Sequence, residues 1–415
     1  MVQDGLLAPL RVLDLTDEWG YLCGRVLGDM GADVIKIEKP GGDPGRRLGP
    51  FYQNHSDPQK SLYWFAYNAN KRGITLNIET AGGKDLLQEL AKTADAVVES
   101  FPAGYMDRIG LGYEYLCRTR PAIIYTAITP FGQSGPYSSL KGSDIVVSSM
   151  SGLVYACGDP DKAPVRIPIP QSYLFAGIDG AIGTAIAYYH REVTREGQYV
   201  DVSAQAGMYW TAGPLTHWTL RKKALKREGQ FRGGLSPISR QRHIWRCKDG
   251  HVAFQVYGGG TGAKNNSRLT QWMDEKGMAS DFLRSMNWEK FSLPATDQEL
   301  MDNIEEPIGR FFLSYTKAEL EAEAMKRDII LLTVSDMKDV LASPQLKARD
   351  YWIKVEHPEL DCSITYPGPW AKLSSHGWKM RFRAPLIGEH NEDIYGKELG
   401  LSRKEMVTLK ESGVI

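Results

Sequence analysis

The sequence predicts an α/β fold: a parallel sheet with helices on both faces, joined by a smaller α+β unit. Three observations predict it. From Leu10 to Thr126, short apolar runs alternate with segments of helical periodicity, the βαβ rhythm of a parallel sheet. The alternation resumes at Phe175 with a long helix and a further strand. At Arg221 the texture changes to a basic, glycine-bearing, weakly periodic stretch that ends the first domain's pattern.

Taken in order, Leu10–Thr16 reads as a buried strand, and Cys23–Gly31 fits a short helix stopped by a glycine. Asp33–Glu38 is the next strand. Lys71 and Arg72 precede the strand-like Gly73–Ile78. Gly83–Thr93 has helical apolar spacing at Leu86, Leu87, Leu90 and Ala91, and Asp95–Glu99 and Ala122–Thr126 are strands again. Phe175–His190 reads as a helix with Gly177, Gly180, Gly183 and Ala187 three or four positions apart. These small residues share a face and permit close approach. Tyr199–Ser203 is a strand, and a helix follows from Ala204. Arg221–Arg242 suggests a linker whose charges read first as a solvated surface, ahead of a phosphate site. From His243 to Thr333 a smaller α+β unit is expected, with a strand running into a glycine loop and a helix from Asn266. Val355–Trp370 is extended and proline-punctuated, and a short helix closes the chain near Lys404–Glu411.

Composition excludes several functions. Lysine plus arginine total 50, matched by 50 aspartates and glutamates, so the positive field that bulk nucleic-acid binding needs is missing. The N-terminal stretch carries Asp4 and no basic region ahead of an apolar run, and no apolar run is long enough to span a bilayer. A cytoplasmic protein without membrane association is expected. Cys23, Cys117, Cys157, Cys247 and Cys362 are isolated, which fits a reducing compartment and roles as small buried hydrophobes.

The eight histidines show no metal-ligand spacing, so no metal is expected. No GxGxxG follows the first strand, where Thr16–Tyr21 stands instead, and no GxSxG elbow occurs. The glycine loop at Gly258, Gly259 and Gly260 departs from a P-loop at Ala263 and Asn265. Its glycines suit either backbone N–H donation to a ligand oxygen or a tight turn. Lys36, Lys39, Lys71, Arg72 and Arg108 recur near strand ends. Singly each reads as a surface charge; together they suit a phosphorylated ligand beyond the carboxyl ends of a doubly wound sheet.

Seven blocks, in order, resemble family III CoA-transferases, the formyl-CoA and carnitine CoA-transferase group. They are VLDLT at Val12–Thr16, GDMGADVIKIEKPGGDPGR at Gly28–Arg46 and NKRGITLNI at Asn70–Ile78. ADAVVESFPAGYMDRIGLGYE follows at Ala94–Glu114, KGSDIVVSSMSGL at Lys141–Leu153, REVTREGQYVDVS at Arg191–Ser203 and APLIGEHNEDI at Ala384–Ile394. The resemblance implies a Rossmann-like large domain built from both chain ends, a small α+β domain from the middle, and two chains interlocked as rings. The domains would then be 1–210, the first part of the large CoA-binding domain; 211–242, a linker; 243–335, the small domain; and 336–415, a return linker with the rest of the large domain. The resemblance also implies coenzyme A as the acyl-CoA substrate, contacted by Lys39, Arg72, Leu76, Ser100, Phe101 and Arg108, with Lys141 near the active centre. Lys39 and Ser100 stand where arginine and asparagine are common; both can still meet a phosphate or a polar CoA group.

Family chemistry uses an aspartate that attacks the donor thioester and passes through an aspartyl-CoA thioester. It lies four residues before a glycine at the start of the long helix. Counting back from Gly177 puts Tyr173 in that slot, and a phenol does not form the same labile intermediate. The nearest carboxylate is Asp179, inside the helix. The favoured implication is a subunit of a heteromeric transferase whose homologous partner carries the aspartate. Such enzymes include those that move CoA from succinyl-CoA to benzylsuccinate in anaerobic toluene degradation, and the stretch Leu15–Val34 resembles their nucleophile-lacking subunit. The alternatives are a homodimeric transferase using Asp179 or another carboxylate, an acyl-CoA racemase or isomerase, and a non-catalytic CoA-binding structural chain. Ser143 and Tyr173 stand where the racemases keep their acid–base pair. Trp19, Tyr21, Tyr173 and Phe175 suit an acyl pocket for an aromatic acid, although packing explains each of them singly.

Overall fold

The structure is a computed structural model that describes residues 5–211, 222, 227–232, 238–375 and 377–415. Much of the expected linker, residues 212–221, 223–226 and 233–237, lies outside the described residues. The chain divides into two compact units. One comprises Met1–Val154, Arg166–Arg221 and Gln345–Ile415; the other comprises Tyr155–Val165 and Lys222–Pro344.

In chain order the elements up to Tyr209 are β1 (Arg11–Leu15), α1 (Tyr21–Asp29), β2 (Asp33–Glu38), α2 (Leu62–Asn68), β3 (Lys71–Thr75) and α3 (Ala81–Thr93). Then come β4 (Ala96–Glu99), α4 (Tyr105–Arg108), α5 (Tyr113–Thr119), β5 (Ile124–Thr129), α6 (Asp144–Met150), α7 (Leu153–Ala156), α8 (Gln171–Thr194), β6 (Tyr199–Ser203) and α9 (Ala204–Tyr209). The strands form one sheet in the order β3-β2-β1-β4-β5-β6, and every adjacent pair is parallel. The α/β expectation, with its parallel sheet, is thereby met. Strand order reverses between β1 and β4, which opens a crevice at their carboxyl ends.

Period-two alternation sorts the strand residues between two cores. Leu13, Leu15, Ile35, Ile37, Val97, Tyr125 and Ala127 join one, with Leu86, Leu87 and Leu90 of α3. Val12, Val34, Ala96, Val98, Ile124 and Ile128 join the other, with Cys23 and Leu27 of α1 and Ala176, Ala181 and Ala187 of α8. The far end of the chain completes the first core through Ile394, Tyr395, Val414 and Ile415. It is tied to β3 and the residues after it: the Tyr395 hydroxyl donates to the Thr75 carbonyl at 2.8 Å, and the Asn77 amide donates to the Val414 carbonyl at 2.7 Å.

The small residues of α8 do what their spacing predicts. A Cβ on Gly177 would lie 2.8 Å from Leu22 Cβ and 3.1 Å from the Cys23 amide nitrogen, so glycine lets α8 lie directly on α1. The helix is longer than Phe175–His190. Its amino end is capped from outside, because the Asp144 carboxylate accepts from the Ser172 amide at 2.9 Å and the Ser172 hydroxyl at 2.8 Å. The extended tail Val355–Trp370 is an antiparallel hairpin of Trp352–His357 with Cys362–Pro367. It shares a cluster with Trp64 and Phe65 of α2.

The second unit has its own core, including Trp245, Trp272, Phe311 and Phe312. Its sheet pairs Leu331–Thr333, Gly250–Phe254 and Ile244–Cys247 in that order, antiparallel throughout. The expected glycine loop is corrected here. The helix runs Gly259–Glu275, so it starts at the glycines and not at Asn266, and Gly258 is its N-cap. The buried stripe begins early, at Ala263, Asn265 and Asn266, and Asn266 anchors the first turn by donating to the Tyr257 carbonyl at 2.8 Å. Among the described residues no helix is long and apolar enough to cross a membrane.

Candidate functional site

The crevice between β1 and β4 is built on a set of buried charges. Lys71 is fully buried and spends its three protons on Asp14 Oδ2 at 2.8 Å, the Tyr21 carbonyl at 2.9 Å and Asn68 Oδ1 at 2.8 Å. Lys36, also fully buried, donates to the Thr16 carbonyl and pairs with Asp43 at 3.3 Å. Burial works against a charge on Asp14, but Lys71 and Lys36 outweigh it and hold its carboxyl below the usual carboxylate range. Arg46 grips Glu38 with two bonds of 2.7 Å, and the Tyr21 hydroxyl donates to Asp43. Lys36 and Lys71, read from sequence as ligand cations, therefore serve the frame: they fix the loop after β1 and the start of α1.

Above this frame the strand ends present the rim. Ser100, just past β4, ties the end of that strand to the loop after β1. Its hydroxyl accepts from the Asp17 amide at 2.7 Å and donates to Asp17 Oδ1 at 2.8 Å. Phe101 stacks on Tyr105 with ring centroids 4.8 Å apart, and the exposed Arg108 guanidinium lies 5.8 Å from the Tyr105 ring centre. The Tyr105 hydroxyl donates to Glu79 at 2.9 Å, and Lys39 pairs with the same carboxylate at 3.0 Å. Lys39, Phe101 and Arg108 are thus gathered around Tyr105, with two exposed cations flanking an aromatic pair. That arrangement suits phosphates with a heterocycle between them.

Glu99 closes β4 and is buried. Its carboxylate accepts from the Phe101 amide at 2.6 Å. Burial nevertheless pushes its pKa up to about 8, helped by the negative charges of Asp107, Asp17 and Asp201.

Tyr173 lies in the first turn of α8, half-buried. Its ring meets Trp19 edge-on at 4.4 Å between centroids. Burial first, and then the charge of Glu18, push its phenol up, while a hydrogen bond from the Asp144 amide partly offsets them. Glu18 is itself pushed up by burial and by the neighbouring Asp17. Asp179 lies two turns further along α8, packed so close to α9 that a Cβ on Gly207 would overlap its carboxylate.

The remaining sequence-predicted residues lie elsewhere. Arg72 is held at 2.6 Å by Asp33 and at 2.5 Å by Glu398. Asp33 opens β2, and Arg11, which opens β1, pairs with the same two acids, so Arg72 belongs to the amino edge of the sheet, away from Lys39 and Arg108. The Leu76 side chain is buried in the core. Lys141 is exposed, three residues before Asp144. Gly258, Gly259 and Gly260 form a helix start in the other unit. Sequence reasoning missed Glu18, Glu79, Glu99 and Tyr105. A signal existed for Glu99, an acid ending the apolar strand run DAVVE. Among the described residues no group of three His, Cys, Asp or Glu side chains is arranged to hold a metal ion.

Comparison with known proteins gives a consistent picture. The sequence profile described as CoA-transferase family III matches residues 7–391. The subunit BbsE of succinyl-CoA:(R)-benzylsuccinate CoA-transferase from Thauera aromatica is 33% identical over 410 residues, which span 98% of this chain and 97% of that protein. A succinyl-CoA–D-citramalate CoA-transferase from Chloroflexus aurantiacus is 28% identical, over 99% of this chain and 98% of its own length. Among solved structures, a CAIB/BAIF family protein from Brucella suis matches with a TM-score of 0.80 at 26% identity, covering 95% of this chain and 100% of that one.

Proposed function

The chain belongs to CoA-transferase family III, and from that premise we propose that it is one subunit of a two-chain transferase whose homologous partner carries the nucleophilic aspartate. The pair moves CoA from an acyl-CoA, with succinyl-CoA as the favoured donor, to a carboxylic acid such as an aromatic succinate. The names of the similar proteins support the donor, and one of them names a subunit acting on benzylsuccinate.

Tyr173 is the observation that carries this function. It occupies the first turn of α8, four residues before the glycine that seats the helix on α1. A phenol this far from ionising neither attacks a thioester as a carboxylate does nor forms an acyl anhydride. Asp179 is a poor substitute, since it lies six residues further along α8, half-buried with its carboxylate against Gly207 of α9. In this assembly the chain binds and orients CoA. Lys39 and Arg108 would meet phosphates, Phe101 and Tyr105 would offer an aromatic face, Ser100 would hold the crevice loops together, and Lys141 would approach the acyl end. Trp19 and Tyr173 give that end an aromatic wall suited to an aryl acid.

Expression of the chain alone and together with an aspartate-bearing homologue tests this function. Both preparations are incubated with succinyl-CoA and the acceptor acid, trapped with hydroxylamine and mapped by mass spectrometry. Transfer is expected only from the two-chain preparation, with the trapped carboxylate in the partner. Full activity of this chain alone, or a trapped Asp179, would overturn it.

A further inference from the structure

The second unit carries a cavity of about 460 Å³, within the roughly 300–1,000 Å³ of small-molecule sites. One wall is the helix Gln298–Leu313, whose Glu305, Gly309 and Leu313 recur every four residues and share a face. The other wall is made by Arg242 and by Trp245 and Arg246 of the strand Ile244–Cys247. Trp245 is fixed there, 1% exposed, with its indole N–H donating to the Phe254 carbonyl at 2.7 Å.

The polar groups of this cavity have bonding capacity to spare. The Arg242 guanidinium lies 5.4 Å from the Trp245 ring centre and 5.3 Å from that of Phe231, and its Nε is buried without a hydrogen-bond partner. It makes no ion pair among the described residues, and neither does the exposed Arg246. Glu305 is 7% exposed. Its Oε1 accepts from the Arg242 amide at 2.6 Å, while its other oxygen has no hydrogen-bond partner among the described residues. Burial pushes this carboxyl up to about 7, against the Arg242 amide and charge and with a further push from Asp302. Near neutral pH about half of these carboxyls therefore carry a proton they can donate. Glu305 feels the Arg242 guanidinium, yet the two do not pair. A buried acid and a guanidinium with a buried, unmade hydrogen bond are costly to hold apart. A ligand with acceptor oxygens between them would remove that cost.

We propose that this cavity binds a small carboxylic acid, with Arg242 and Arg246 holding the carboxylate oxygens, Glu305 donating a hydrogen bond to one of them, and Trp245 and Leu313 receiving the carbon chain. A guanidinium fork matches the two oxygens of a carboxylate. Inorganic phosphate fits less well: as a dianion it meets the exposed Asp302 of the same cavity, and it has no carbon to lay on Trp245 and Leu313. The site stands on the residues of this unit and does not depend on the two-chain function.

Succinate is the probe, applied to the full chain. Phenylglyoxal labelling mapped by mass spectrometry reads each arginine separately, with the exposed Arg403 as reference. Succinate at about ten times its Kd is expected to slow labelling of Arg242 and Arg246 about tenfold and to leave Arg403 unchanged. Chloride or inorganic phosphate at equal ionic strength should give no such protection. This wild-type readout needs no variant to fold. Two variants separate the cavity from any succinate bound elsewhere. Gly309→Leu fills the space: a Cβ there would lie 3.7 Å from the Trp245 ring, an ordinary contact, so the larger side chain is tolerated at its root. Arg242→Met removes the fork. Both are expected to abolish the protection of Arg246. No slowing at Arg242 and Arg246 in the wild type, equal slowing by chloride or phosphate, or protection of Arg246 that survives Gly309→Leu overturns the site.

Discussion

Replacing Glu99 with glutamine should stabilise the protein at alkaline pH and leave it almost unchanged in mild acid. Glu99 is 4% exposed at the end of β4, and its carboxyl titrates near 8 in the folded chain because burial disfavours its charge. In the unfolded chain the same group titrates near about 4.3. Between those values the folded state holds a proton that the unfolded state has released. The stabilising contribution is therefore complete below the unfolded pKa and drains away as pH rises through the folded one. At about 1.36 kcal/mol per pH unit, the full window amounts to roughly 5 kcal/mol. Glutamine keeps an oxygen for the Phe101 amide, 2.6 Å away in the wild type, but removes the charge. Urea unfolding at a series of pH values from about 5 to 9 measures the difference directly. The two proteins should differ by only about 1 kcal/mol near pH 5 and by several kcal/mol by about pH 9, with the variant the more stable. Parallel stability curves across that range would refute a buried, protonated Glu99.

Four further outcomes follow from the geometry. Lys71→Met strands the buried Asp14 carboxylate and should cost about 3–5 kcal/mol in thermal or denaturant unfolding, and adding Asp14→Leu should recover part of the loss. Gly177→Val forces α8 off α1 and should cost about 1–3 kcal/mol by the same measurements. Lys39→Ala and Arg108→Ala should each weaken CoA binding by about 1–2 kcal/mol, on the order of tenfold by calorimetry, with stability within about 0.5 kcal/mol of wild type. Arg72→Ala should instead leave CoA binding near wild type and lower stability, since its guanidinium is committed to Asp33 and Glu398.

Much of the sheet was legible because apolar periodicity is a local property. Tyr199–Ser203 and Asp33–Glu38 coincide with β6 and β2, and the small residues of α8 mark the face that lies on α1, β5 and β6. Boundaries failed where a distant group decides them. β3 begins at Lys71, because that lysine is buried against Asp14 and not solvated as a charge in a turn would be. α8 begins at Gln171, because Asp144 of α6 caps it.

The candidate site divides along the same line. The sequence by itself determined the order of the family blocks, the tyrosine at position 173 and the recurrence of cations after strands. Only the tertiary structure decided which of those cations are buried or paired and which stay exposed. It drew Lys36 and Lys71 into the frame, sent Arg72 to the amino edge and left Lys39 and Arg108 exposed around Tyr105. It also gave Glu99 its proton. A residue's charge and periodicity are written in its own chemistry and that of its neighbours in sequence. Its solvation and its pairing depend on whatever packs around it from segments far along the chain.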